Sequence, residues 1–265
     1  MQQRFPAEEK RIARQFARSY LKNLSEGSVY IHHLLSELKE RNLPVELAAI
    51  PLIESGLNPH VISPAGARGI WQYRRVTGKS LGLKRTGSYD EINDFLRSTD
   101  VSLKYFRHLS EVFDGDWDLA AAAYNQGEFG VLRAVKNARA RGQKPQYDRI
   151  GISGYAKAYV KRFHAYAELL RHPEAYGITP PHIKNRPAFR RVEIAGRVGS
   201  MRKASEMSGV ALAELKRLNA GYLSDDLRAP AGNHGLLVPV ERAARLEQAL
   251  RGSPGHRSEE RRVGK

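Results

Sequence analysis

The chain has no cysteine in its 265 residues. That excludes disulfides, thiol nucleophiles, zinc–thiolate centres and a lipid-carrying N-terminal cysteine within the sequence as given. Long apolar runs are also missing. Met1 to Leu24 carries Arg, Lys and Glu throughout, with no apolar segment of the kind a secretory signal needs. No later stretch is long enough to span a bilayer. Acidic residues are scarce, 28 against 44 Lys and Arg, giving a net charge of +16 and a pI near 10.1. Such a surface attracts polyanions, whether nucleic acid, anionic lipid or an acidic wall polymer. No glycine-basic motif with stacked aromatics is present, so nucleic-acid binding would account for the charge and nothing else. A hydrophobic content of 41% with 12 Tyr and 8 Phe suffices for globular packing, and the length allows a catalytic core plus a smaller domain.

Apolar residues at helical spacing, Ile31, Leu34, Leu35 and Leu38, predict a helix over Val29 to Arg41. LPVELAAIPLIES reads as a buried helix opened by Pro44 and kinked at Pro51, with Gly56, Asn58 and Pro59 as stop signals. SPAGARGIWQY reads as a loop or short hairpin. Ser98 is expected to cap a helix carrying Leu103, Phe106, Leu109 and Phe113, and Asp116 to cap one through Ala120 to Ala123. Two more helices are expected at about Glu128 to Arg141 and Tyr155 to Leu170, after a break at Asn125-Gln126-Gly127. Pro173, Pro180, Pro181 and Pro187 mark an extended linker. Beyond it, RRVEIAG, Met201 to Ser208, Leu212 to Leu218 and GLLVPV form a strand, helix, helix, strand pattern, with Leu212, Leu215 and Leu218 turned to a core.

Glu54 follows an almost wholly apolar run and ends its helix, where unsatisfied carbonyls concentrate negative charge. Desolvation by Ile50 and Ile53 and the helix end both disfavour a carboxylate, so the acid should stay protonated near neutrality and serve as a proton donor. By residue type alone, a solvated Glu at a helix end is the plainer interpretation.

Three ordered motifs decide between these. IPLIESGLNPHVISPAGARGIWQ, AAAAYNQGE and YAKAYVKRFHAYAELLRHPEAYGI together resemble the Slt-type lytic transglycosylase domain of glycoside hydrolase family 23. VSLKYFRHLSEVFDGDWDLAAAAYN is most similar to the membrane-bound lytic transglycosylase D subfamily, and the resemblance spans Val29 to Ile178. It implies a mainly α, lysozyme-like domain with Glu54 as catalytic acid and base. It further implies that Ser63 approaches the acid, that Gln72 hydrogen-bonds substrate near the scissile bond, that Tyr124 hydrogen-bonds the acid with Asn125 beside it, and that Tyr159 lines the same cleft. Structural roles compete for some of these: Ser63 can cap a turn, Asn125 can end a helix, Trp71 suits a core anchor, and Gly66 and Gly69 suit backbone geometry. The chain departs from the family at Tyr73-Arg74-Arg75-Val76, where an aromatic, a small or apolar residue and a proline are common, and at Lys161, where proline is usual.

The C-terminal pattern resembles a LysM-like carbohydrate-binding repeat, a small α+β (βααβ) domain, in Asn219 and the closing LLVPV. Gly199-Ser200-Met201-Arg202 replaces that family's usual Gly-Asp-Thr-Leu turn, so a structural cap and a glycan binder are both open. The expected organisation is an N-terminal helical extension (1–28), the catalytic domain (29–178), a linker (179–188), the LysM-like module (189–250) and a disordered charged tail (251–265). The implied activity is cleavage of the β-1,4 bond between N-acetylmuramic acid and N-acetylglucosamine with formation of a 1,6-anhydro sugar. It needs no cofactor or metal and is carried out by a monomer on peptidoglycan strands in the periplasm or cell envelope, with no nucleic-acid partner. A lysozyme-type hydrolase would usually require a second carboxylate, for which Asp90, Asp94, Asp114 and Asp116 are available. A non-catalytic peptidoglycan-binding protein is the third reading.

Overall fold

In a computed structural model the described residues are 7–194, 196–227 and 235–252. They form helices α1 (Ala7–Glu26), α2 (Ser28–Glu40), α3 (Ala49–Ser55), α4 (Arg75–Ser80), α5 (Phe95–Val112), α6 (Trp117–Gln126), α7 (Glu128–Ala140) and α8 (Gly154–Arg171). Strand β1 (Phe189–Val192), helices α9 (Met201–Ser208) and α10 (Leu212–Leu218), strand β2 (Leu236–Pro239) and helix α11 (Val240–Arg251) follow. The chain divides into two compact units, one of residues 1–28, 34–57 and 100–182, the other of 29–33, 58–99 and 183–265. No helix among the described residues is long and apolar enough to cross a membrane.

In the first unit α8 is the central element. Helix α1 lies along it, with Tyr20 edge-on to Tyr166 at 5.8 Å between ring centroids and Phe16 covered by the Arg162 guanidinium at 4.9 Å. Lys161, at the position where the resemblance has proline, ties α8 to α1 through Glu8 at 2.8 Å. The buried alanines Ala120 to Ala123 let α6 pack closely against α7 and α8. Asp116 caps α6 as expected, its carboxylate accepting the Asp118 and Leu119 amides.

The expected single helix kinked at Pro51 is instead a 3-10 turn, Val45–Ala48, running into α3. Pro51 falls in the first turn of α3, where its missing N–H is not needed and the tighter turn before it relieves the clash with the preceding carbonyls. The expected Ser98 cap is also corrected. Helix α5 starts a turn earlier: the Asp94 carboxylate accepts the Arg97 amide at 2.8 Å, while buried Ser98 donates its hydroxyl to the Asp94 carbonyl at 2.6 Å.

In the second unit β1 and β2 pair antiparallel from Phe189↔Pro239 to Val192↔Leu236. Val192, Val198, Met201, Ala204, Leu215, Leu236, Val238 and Leu246 form the core beneath them. Leu215 is part of it and Leu212 packs at its edge, while Leu218 is buried as well. Helix α11 was not anticipated, although Ala243, Leu246 and Leu250, all buried, repeat at helical spacing. It reaches Arg251, and the remainder of the expected charged tail, from residue 253 on, lies outside the described residues. Asn219 closes the module. Its side chain donates to the Leu215 and Leu237 carbonyls and accepts the Leu237 amide, each at 2.8 Å.

Candidate active site

Glu54 occupies the last turn of α3, separated from the buried Ile50, Pro51 and Leu52 only by the half-buried Ile53. The helix stops because Gly56 (φ 61°) and then Leu57 (φ 59°) both enter the left-handed region. Leu57 can do so because it is fully buried against a position where only glycine fits: a Cβ on Gly27 would lie 2.3 Å from that of Leu57. The turn thus fixes where the acid is presented.

Desolvation pushes the Glu54 carboxyl up to about 7, against the opposing pull of a hydrogen bond from Tyr159 and the charge of Arg162. The Tyr159 hydroxyl donates to Glu54 Oε1 at 2.6 Å. Tyr159 is itself 6% exposed on α8. The start of α8 is held by Ser153, whose hydroxyl accepts the Ala156 amide at 3.0 Å and whose own amide donates to Gln126 Oε1 at 2.8 Å. An acid that titrates near neutrality can both give and take a proton at physiological pH.

Tyr124 and Asn125 lie on α6 in the same unit as Glu54 and Tyr159. The Tyr124 ring stacks on Phe106 at 4.8 Å. Asn125 does not end the helix, which continues to Gln126 and stops at Gly127 (φ 106°). Ser63 and Gln72 belong to the second unit. Ser63 holds a turn, its hydroxyl accepting the Ala67 amide at 3.0 Å. Gln72 is a non-glycine residue at φ 55°, and its Nε2 donates to the Val61 and Gly69 carbonyls at 3.1 and 2.8 Å. That leaves Oε1 as the acceptor the side chain can offer. Trp71 is buried and donates to Thr99 Oγ1 at 3.0 Å, the arrangement of a core anchor.

The four aspartates available to a two-carboxylate mechanism each have other partners. Asp90 is fully buried and takes a bidentate contact from Arg75. Asp94 accepts the Tyr89 hydroxyl and caps α5. Asp114 is 71% exposed and paired with Arg139 at 2.7 Å, and Asp116 caps α6. Arg75, one of the departures from the family pattern, therefore points into its own unit. Arg74 is the residue preceding α4. Sequence reasoning missed Arg162, although its place three residues after Tyr159 on one helix was a usable signal. It also missed the Arg75–Asp90 pair, for which spacing gave no sign. Among the described residues no group of three or more His, Asp or Glu side chains is arranged to hold a metal ion.

The chain is 35% identical over 234 residues to the membrane-bound lytic murein transglycosylase D of Escherichia coli (strain K12), covering 88% of this chain and 51% of that protein. It thus spans about half the length of that relative. It is 30% identical over 164 residues to the peptidoglycan transglycosylase gp16 of Escherichia phage T7, covering 60% of this chain and 12% of that protein. It is also similar to the solved 70 kDa soluble lytic transglycosylase of Escherichia coli, at 20% identity and a TM-score of 0.45 over 65% of this chain and 31% of that one. The LysM-like domain of lytic transglycosylase MltD matches residues 188–254. The Transglycosylase SLT domain matches residues 15–147, half of the chain, and with the Glu-Ser and Ala-Tyr-Asn motifs inside that match, the chain belongs to the Transglycosylase SLT domain family.

Proposed function

We propose that this protein is a peptidoglycan lytic transglycosylase with Glu54 as its single acid and base. The observation that carries the reading is the Glu54–Tyr159 pair, an acid titrating near 7 under a donated hydroxyl, in a chain of this family. Protonated Glu54 gives its proton to the oxygen between N-acetylmuramic acid and N-acetylglucosamine as the C1–O bond breaks. The resulting carboxylate then removes the proton from the muramoyl 6-hydroxyl, whose oxygen bonds to C1. The cycle returns Glu54 to its protonated form and consumes no water. Gln72, with Oε1 unclaimed by its own loop, suits the role of accepting a hydrogen bond from substrate, and substrate contacts are assigned to Ser63, Tyr124 and Asn125 as well. The net charge of +16 favours a substrate whose stem peptides carry carboxylates. The name of the Escherichia coli relative fits a place in the cell envelope.

An intramolecular hydroxyl held over C1 has a large advantage in effective molarity over solvent. Mass spectrometry of digested sacculi is therefore expected to show muropeptides lighter by one water than reducing-end products. Predominantly reducing muramic acid ends would establish hydrolysis instead.

A further inference from the structure

The C-terminal module shares a compact unit with residues 58–99, the segment that carries Gln72, and the contacts between them are specific. The Asp90 amide donates to the Gly221 carbonyl at 2.8 Å and the Leu223 amide to the Ser88 carbonyl at 2.9 Å, bracketing a bridge between Tyr89 and Tyr222. The two rings meet edge to face at 4.8 Å. Glycine is required opposite, since a Cβ on Gly221 would lie 2.5 Å from the Tyr89 ring.

From this seam the contacts run on to Gln72. Asp90 takes Arg75 on its carboxylate and accepts the Ile92 amide at 3.1 Å. Ile92 fixes the loop from below, its carbonyl lying 2.4 Å from where a Gly69 Cβ would be. The Gly69 carbonyl, in turn, accepts both the Gln72 amide, at 3.2 Å, and its side-chain Nε2. Gln72 sits in left-handed backbone, a conformation that persists only where its surroundings impose it. Those surroundings include an ion pair buried on the aspartate side, which loses heavily if either member is removed.

We propose that the LysM-like module is a positioning element for Gln72, setting the shape of the loop that carries it through Tyr222, Asp90, Arg75 and Gly69. This rests on the lytic transglycosylase reading and on a substrate role for Gln72. It differs from a tether: a tether contributes through effective concentration on the insoluble wall, whereas a positioning element affects every substrate.

Soluble peptidoglycan fragments separate the two. Tyr222→Ala is expected to lower kcat on fragments roughly tenfold or more, given that a misplacement of about 1 Å can cost about a hundredfold. Tyr222→Phe, which keeps the ring, should restore most of it. In a Gln72→Ala background Tyr222→Ala should cost little further, because the group it positions is gone. Arg75→Gln supplies an independent break in the same path and should show the same dependence on Gln72. Native kcat on fragments for both Tyr222→Ala and Arg75→Gln would overturn the proposal, whether or not wall binding falls, and so would equal losses with and without Gln72. A native enzyme giving no anhydro product would refute the parent reading separately.

Discussion

Tyr159 donates its hydroxyl to Glu54 Oε1 across 105 positions of sequence, at 2.6 Å. The contact opposes what burial does to the acid, in the same direction as the charge of Arg162. Burial raises Glu54, and the donated hydrogen bond, favouring the charged form, restrains it. The result near 7 suits a group that must be an acid in one half-reaction and a base in the other.

Tyr159→Phe removes the restraint and keeps the ring. Glu54 should then hold its proton to higher pH, and the alkaline limb of the kcat/KM profile, set by loss of the acid form, should move up. The expected displacement is about one pH unit, the size given by a hydrogen bond worth roughly 1.4 kcal/mol. A limb that stays in place or moves down would show that the hydroxyl does not act on the acid.

Glu54→Gln keeps the shape and loses the exchangeable proton, so cleavage should fall by about 10²–10⁴-fold or more. Stability gives an independent check. The carboxyl lies near 7 in the folded protein against an ordinary 4.5, so the fold favours the protonated form. Its contribution is whole below pH 4.5 and is lost as pH rises through 7. Glutamine does not titrate, and the Tm of Glu54→Gln relative to the native protein should therefore rise between pH 4.5 and 7 and level off above about pH 8. Parallel Tm curves would mean Glu54 is not desolvated.

Much of the first unit was legible because its signals are local. Alanine-rich α6, its Asp116 cap and the apolar approach to Glu54 can be read within a few residues. The caps and kinks misread at Ser98 and Pro51 show the limit: neighbouring residues can each begin or bend a helix, and packing selects one. At the candidate site the motifs supplied names but not partners. That Tyr159 reaches Glu54 depends on how α3 meets α8, and that Arg75 turns toward Asp90 depends on a loop closing over 15 residues. Neither is written in periodicity.

Asn219 is a polar group in an apolar core that satisfies both the amide and the carbonyl of Leu237 on β2. Asn219→Leu would leave those groups buried without their partner, at about 1–3 kcal/mol each. Urea denaturation should show a loss of roughly 2–6 kcal/mol. A variant as stable as the native protein would mean that water or a shifted strand replaces the side chain.

Gly66 and Gly69 offer a matched pair for testing the loop that carries Gln72. Both have positive φ, 81° and 75°, so alanine at either meets the same left-handed penalty of about 1–2 kcal/mol. Only their surroundings differ. A Cβ on Gly66 meets nothing within 4 Å, whereas one on Gly69 would lie 2.4 Å from the Ile92 carbonyl oxygen, a backbone atom that cannot swing aside. Gly66→Ala should therefore lower stability by the backbone cost alone and leave Gln72 in place. Gly69→Ala must also push the loop off Ile92, taking with it the carbonyl that holds both the Gln72 amide and its side chain. Its activity should fall by a further tenfold or so beyond that of Gly66→Ala, since small misplacements of a substrate-positioning group are costly. Stability curves and fragment kinetics measured side by side test this, and equal activity in the two variants would show that Ile92 does not set the position of Gln72.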